Sequence, residues 1–335
     1  MSVRVIGTTV ALITLLGLVA APWARAQAVD HVTFGTDWKA EAEHGGFYQA
    51  IATGLYRKHG IEVTLRQGGP QVNQAQLLAA GRIEFSIASN SFIPLNFVKQ
   101  SIPMLAVAAL FQKDPAVLIA HQGVGNDSLA ALKGKPIMVG GDTRIGWWLF
   151  LKAKYGYADS QIRTYDFNIA PFLADKNAVQ QGYVTSEPLL IEKAGVKPNV
   201  FLIADAGYAS YAAIVMTSQK LVNEKPDLVQ RFVDASIEGW TSYLNDPAPG
   251  NALIKKDNPE ESDELLAYAF GKMKEYGIVD SGDAKANGIG AMSDARWQSF
   301  FAVMADEGLY PKDLDFHKAY TLRFVNGRVG REAKQ

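Results

Sequence analysis

The chain contains no cysteine. That absence excludes disulfides, thiolate nucleophiles, cysteine-ligated metals and a lipid anchor through cysteine. Histidine is sparse as well. His31, His44, His59, His121 and His317 form no HxH or HxxxH pair, so no metal site is expected. Neither sign of charge dominates, with 33 Lys+Arg against 34 Asp+Glu. Nucleic acid would call for a basic stripe, and an anionic membrane gives no reason to be a partner either. Nucleotide motifs are missing too. Gly140-Gly141-Asp142-Thr143 lacks the lysine of a Walker loop, and Gly123-Val124-Gly125 is a lone GxG.

A long apolar run occurs once, at the front, from Val5 to about Pro22 behind Arg4. Ala24-Arg25-Ala26 and Ala26-Gln27-Ala28 both fit small-x-small cleavage sites, so residues 1–28 read as a secretory signal peptide. An uncleaved anchor of this length would be marginal. Cleavage would leave a mature chain starting near Gln27 or Val29, in the periplasm. The roughly 300 remaining residues are enough for two α/β domains or one large one, with a core that needs no disulfide staples.

From there strands and helices alternate. Residues 31–37 and 61–66 alternate apolar and polar as half-buried strands. Between them, 45–58 carries Phe47, Tyr48, Ile51 and Leu55 at helical spacing and ends at Gly60. A helix is expected over 71–80, strands over 83–88, 104–111 and 116–121. A second unit begins near Gly123, with strands over 136–139, 163–167, 183–185 and 199–203 and a helix over 145–155. The chain returns through a strand at 212–217, and helices follow over 227–245, 260–276 and 294–307. Such alternation implies α/β lobes of mostly parallel sheet with helices on both faces. Lobe 1 is expected over 29–120 plus 213–335 and lobe 2 over 121–212, joined by a hinge of two crossovers.

In open parallel sheets ligands sit at the carboxyl ends of strands. That rule selects Asp37, Trp38, Ser89, Asn90, Asp142, Thr143, Trp147 and Glu187. Each also has a bland reading. Asp37 caps a turn or reaches ligand; Ser89-Asn90 caps a helix or lines the cleft; Glu187 stabilises a helix start or accepts from ligand. Tyr48 faces either the cleft or the core. Of Trp147 and Trp148, adjacent on a helix, one faces the cleft and the other the core. The glycine turn at 140–143 offers backbone N–H groups to an oxygen or anion. Two acids among aromatic faces suit a flat heterocycle with N–H donors better than a sulfonate or nitrate.

Four stretches carry a family resemblance: DWKAEAEHGGFYQAIATGLYRKHGIEV (37–63), AAGRIEFSIASN (79–90), LKGKPIMVGG (132–141) and QQGYVTSEP (180–188). From about 30 to 325 the chain resembles exported binding proteins for thiamine pyrimidine precursors, kin of the sulfonate, taurine and nitrate binding proteins of ABC importers. The resemblance implies a type II periplasmic-binding-protein fold. It also implies a monomer that passes its ligand to an inner-membrane permease with its ATPase, and neither cofactor nor catalysis. By position, Trp38 and Tyr48 look like pocket aromatics, Asn90 like a first-lobe contact, Asp142 and Thr143 like second-lobe contacts, and Glu187 like the acid receiving amino groups. The turn GGDTRIGWW departs from a close pyrimidine binder, which leaves a flavin, a sulfonate or nitrate as alternatives. The family also includes a fungal pyrimidine synthase using pyridoxal phosphate, but its cysteine-rich motif is absent here.

Overall fold

The computed structural model describes residues 1–3, 29–69 and 72–327. The apolar run, the cleavage sites, Pro70 and Gln71 lie outside the described residues.

Ten strands form two sheets. They are β1 (Asp30–Gly35), β2 (Ile61–Arg66), β3 (Phe85–Ala88), β4 (Met104–Phe111), β5 (Ala116–His121), β6 (Ile137–Val139), β7 (Ile162–Thr164), β8 (Val179–Tyr183), β9 (Pro198–Leu202) and β10 (Ala212–Ser218). The orders are β2-β1-β3-β10-β4 and β7-β6-β8-β5-β9. Adjacent pairs without β5 or β10 are parallel. β10 runs against β3 and β4, and β5 against β8 and β9. Each sheet is thus mixed, with one reversed strand, and that strand is the first to arrive from the other sheet.

This corrects the expected lobe boundary, which put 116–120 in the first lobe. β5 is central in the second sheet, so the chain crosses at 112–115 and returns between β9 and β10. β4 and β5 are buried along their whole length. Two continuous apolar runs carry no mark of the sheet they join; the break at Lys113-Asp114-Pro115 is the crossover itself.

Sequence periodicity places the long C-terminal helices within three residues: Pro226–Asn245, Asp263–Glu275 and Asp294–Asp306. The expected 45–58 helix breaks at Gly54, whose φ of 74° ends the first segment, Gly45–Ala52. The expected strand at 183–185 is β8, which ends at Tyr183, leaving Thr185 in the turn. Helix Ala248–Asp257 was not among the expected elements. Proline is tolerated in a first helical turn, and Gly250 donates its N–H to Gln49 Oε1 at 2.7 Å. The glycine pair opening helix Gly45–Ala52 serves packing. A Cβ on Gly46 would lie 2.2 Å from the Trp240 ring, and one on Gly239 2.3 Å from the Gly46 carbonyl oxygen. This close crossing fixes where the loop after β1 emerges.

Both crossovers are held by one side chain. Arg296 Nη2 donates to the carbonyls of Gln112 and Ser210, and Nε to Ala209 at 3.1 Å, with the guanidinium 4.1 Å over the Tyr211 ring. The Ser91 N–H donates to Ser210 Oγ and Tyr211 N–H to Ser91 Oγ, tying the β10 approach to the end of β3. Hydrogen bonds to charged groups contribute roughly 1.5–3 kcal/mol. Arg296→Gln is therefore expected to lower unfolding free energy by about 2–3 kcal/mol in urea denaturation. A midpoint unchanged from the parent would show that the crossovers hold without it.

Candidate functional site

The loops after β1, β3, β6, β7 and β8 converge where the two sheets face each other. From the first come Asp37 and Trp38, then the short 3-10 turn Ala42–His44. The second sheet contributes Phe167 after β7, and Thr185 and Glu187 after β8. The lobes meet directly. The Trp38 and Phe167 rings lie 4.0 Å apart between centroids, tilted by 41°. Thr185 Oγ1 donates to Glu43 Oε1. Phe167 has a φ of 67° and is 41% exposed. A bulky residue in that left-handed region is strained, and here the strain accompanies a reach across the cleft.

Behind this contact is an unusually acidic interior. Asp37, Glu41, Glu43, His44 and Tyr183 line a void of about 10 Å³, scarcely room for one water. Burial, then Glu43, Asp37, Glu261 and Glu187 in that order, push the Glu41 carboxyl well above the usual range. Burial likewise raises Glu43, Glu187 and Glu261, the last to about 7. Glu41 and Glu187 are partly buried as whole residues, and burial is the first cause of the rise at each. His44 is the one basic group among the main influences on these four acids. It is buried and pairs through Nε2 with Asp37 Oδ1 at 2.9 Å. Its Nδ1 has no hydrogen-bond partner among the described residues.

A larger cavity of about 300 Å³ adjoins this cluster, and Asp37 lines both. It runs from Ser89, Asn90 and Gly146 into the first lobe, between helix Gln74–Ala79 and helix Phe92–Lys99.

The expected site residues divide accordingly. Asp37, Trp38, Ser89 and Asn90 are brought to the cleft or its adjoining cavity. Asn90 also accepts from the Phe92 N–H at 3.1 Å, so it serves the helix start as well. Tyr48 is not at the cleft: its ring is fully buried in the first-lobe core, and burial first, then Asp257, pushes its phenol up. Trp147 and Trp148 are both buried, and Trp148 donates Nε1–H to Asp159 Oδ1 at 2.9 Å. Thr143 is half-buried in a 3-10 turn and lines neither cavity. The Asp142 side chain lies outside the described residues. The turn at 140–143 is less open than expected, since the Gly140 N–H already donates to Gln181 Oε1 at 2.7 Å. Glu187 accepts from the Tyr183 N–H at 2.8 Å and the Tyr165 hydroxyl at 3.1 Å, binding its own turn together. The acid that crosses between lobes is Glu43. Glu41, Glu43, Glu261 and Phe167 were not singled out from sequence. The two acids beside Trp38 in the string WKAEAEHGG were the available signal.

A family model described as NMT1/THI5 like matches residues 41–249, more than half of the chain. The chain belongs to this family. The resemblance read from the sequence is met at that level. Over 317 residues the chain is 26% identical to the riboflavin-binding protein RibY of Chloroflexus aurantiacus, covering 92% of this chain and 90% of that one. Among solved structures, the alkanesulfonate-binding protein SsuA of Xanthomonas axonopodis pv. citri, bound to MOPS, is similar with a TM-score of 0.64 at 14% identity, over 88% of this chain and 99% of that one. The aliphatic sulphonate-binding protein SsuA of Escherichia coli gives 0.63 at 13%, over 87% and 91%. The desulfurization enzyme DSZB gives 0.57 at 13%, over 88% and 97%. At such identities these structures show the fold alone, a two-lobed periplasmic-binding fold of type II. Among the described residues, no helix is long and apolar enough to cross a membrane.

Proposed function

We propose that the protein is the exported, non-enzymatic binding component of an ABC importer. It captures a small aromatic nitrogen heterocycle by closing two lobes over it in the periplasm. As a monomer, it hands the ligand to an inner-membrane permease driven by its ATPase. The first lobe comprises residues 29–111 with 212–327, and the second 116–202. The observation that carries the reading is the carboxylate cluster at the meeting of the lobes, with an aromatic pair beside it. Carboxylates accept from ring N–H and amino groups in strong charge-assisted bonds, while Trp38 supplies a stacking face. A sulfonate or nitrate keeps its negative charge at any ordinary pH. One ionised carboxylate about 4 Å away would oppose it by about 4 kcal/mol at an effective dielectric of 20. Two heterocycles fit this chemistry. A thiamine pyrimidine precursor follows from the family, and a flavin is favoured by the name of the relative that matches along 92% of the chain.

A thermal-shift panel of the chain from Val29 tests the class with an aminopyrimidine, riboflavin, an alkanesulfonate, taurine and nitrate. Ligand at a hundred times its Kd adds about 2.7 kcal/mol, a rise of several degrees. The expected result is a rise with one of the two heterocycles and none with the anions. A rise with the anions alone would end the reading while leaving the fold and a binding role intact. An absorbance band from a lysine aldimine after adding pyridoxal phosphate would instead argue for catalysis.

A further inference from the structure

We propose that the cavity of about 300 Å³ in the first lobe is a second ligand subsite. It takes an uncharged, polyhydroxylated arm attached to the heterocycle that the lobes enclose. The inference rests on the heterocycle reading above and specifies which heterocycle.

The geometry begins at Asp37, which lines both the acidic void and this cavity. Asp37 therefore stands between the two, and a ligand whose ring sits at the lobe contact would extend past it into the first lobe. Farther in, the hydrogen-bonding groups along the walls are side-chain amides and hydroxyls. Gln74 is part of the wall itself. It is 5% exposed, and its Nε2 donates to the carbonyls of Thr36 at 2.9 Å and Arg66 at 3.1 Å. Those two bonds fix the orientation of the amide. Oε1 is left as a buried acceptor without a hydrogen-bond partner among the described residues. That oxygen packs beside Gly35, where a Cβ on the glycine would lie 2.4 Å from it, so Gln74 shapes the wall and offers no group to a ligand.

Two other amides in the lining keep free groups. Asn90 uses Oδ1 for the Phe92 N–H, and Asn96 uses Oδ1 for the Tyr310 hydroxyl at 2.9 Å. Their Nδ2 groups have no acceptor among the described residues and remain as donors. Two amide donors, with the Ser86 and Ser89 hydroxyls in the same lining, match hydroxyl groups, each of which both gives and receives a hydrogen bond. Phe92, Ile93 and Phe97 supply the apolar wall against which the carbon chain of such an arm lies. A phosphorylated arm does not fit, because Asp37 is the one charged residue of the lining among the described residues. The cavity holds about ten waters' worth of liquid volume, more than a bare methyl or hydroxymethyl substituent fills.

The test uses riboflavin, its phosphate ester FMN, lumichrome (a flavin-type ring without the ribityl arm) and an aminopyrimidine, with Kd read by tryptophan fluorescence and calorimetry. In the parent, riboflavin is expected to bind at least tenfold tighter than lumichrome and at least tenfold tighter than FMN. Ala75→Leu projects into the cavity from a helix that tolerates leucine, and is expected to cut the riboflavin-to-lumichrome affinity ratio at least tenfold. Asn96→Leu removes a donor and is expected to shift the ratio the same way. Equal affinity for riboflavin and lumichrome, or a ratio unmoved by both variants, would overturn the subsite while the heterocycle reading stands. Binding of the aminopyrimidine alone would do the same. Binding of anions alone in the earlier panel would remove both.

Discussion

Alanine at Trp38 is expected to weaken heterocycle binding about a hundredfold while leaving the fold intact. Aromatic stacking on a flat base contributes about 1–3 kcal/mol by alanine substitution, and the upper part of that range applies where closure excludes water. The ring is well placed to provide it. It projects from the loop after β1 and meets Phe167 of the opposite lobe at 4.0 Å between centroids. Its main chain carries the local structure, since the Trp38 carbonyl accepts from the Gly68 N–H at 3.0 Å and from Thr36 Oγ1 at 2.7 Å. Those bonds survive truncation of the side chain, so thermal denaturation of the unliganded variant should match the parent. Trp38→Phe keeps a stacking face and should lose only a few-fold. Trp148→Phe serves as the control, because Trp148 is committed to Asp159; its affinity should equal the parent's. Calorimetry with the ligand chosen by the panel decides the matter. Parent-like affinity in Trp38→Ala would remove this aromatic from the site.

Strand-end logic found Asp37 and Trp38 because both follow a strand whose alternation is plain in the sequence. Tyr48, which the resemblance made a pocket aromatic, lies in the core for a physical reason. Every residue from Gly45 to Ala50 is buried, so that helix has no outward face for periodicity to reveal. Phe167 was out of reach because its importance lies in a positive φ that nothing in the local sequence announces. Glu261 comes from a C-terminal block read as packing alone, yet it joins acids more than two hundred positions earlier. Glu187 was legible as an acid at a strand end. Whether it would face a ligand or close its own turn depended on Tyr165, which arrives from a different strand. The lobe boundary failed by one strand, since continuous burial makes β4 and β5 alike in sequence. Local rules thus recovered elements and strand ends, whereas the acid cluster is a product of long-range assembly.

Asp114→Asn is expected to stabilise the protein at neutral and alkaline pH, by up to about 4 kcal/mol, and to leave it unchanged near pH 4. Asp114 sits in the first crossover, 2% exposed, and its Oδ1 accepts from the Ala116 N–H at 2.9 Å. Burial pushes its carboxyl up from 3.8 to about 7, with Asp37 adding to the rise and the Ala116 bond opposing it. A carboxyl raised on folding contributes its stability in full below the unfolded value. That contribution is lost as pH climbs through the folded value. The parent should therefore weaken between about pH 4 and pH 7. The substitution puts a neutral amide in the same place, which should flatten that slope while keeping the acceptor for Ala116. Urea midpoints at pH 4, 6 and 8 measure it; a variant that tracks the parent at all three values would show that Asp114 is not the group responsible. Part of the slope should persist in the variant, because Glu41, Glu43, Glu187 and Glu261 are raised in the same direction. That remainder connects stability to function. Bringing the lobes together around these acids without a ligand favours their protonated forms, whereas a heterocycle that donates N–H groups stabilises them ionised. Ligand-linked stabilisation should consequently grow as pH rises from about 5 to 7, the opposite of the trend in the unliganded protein.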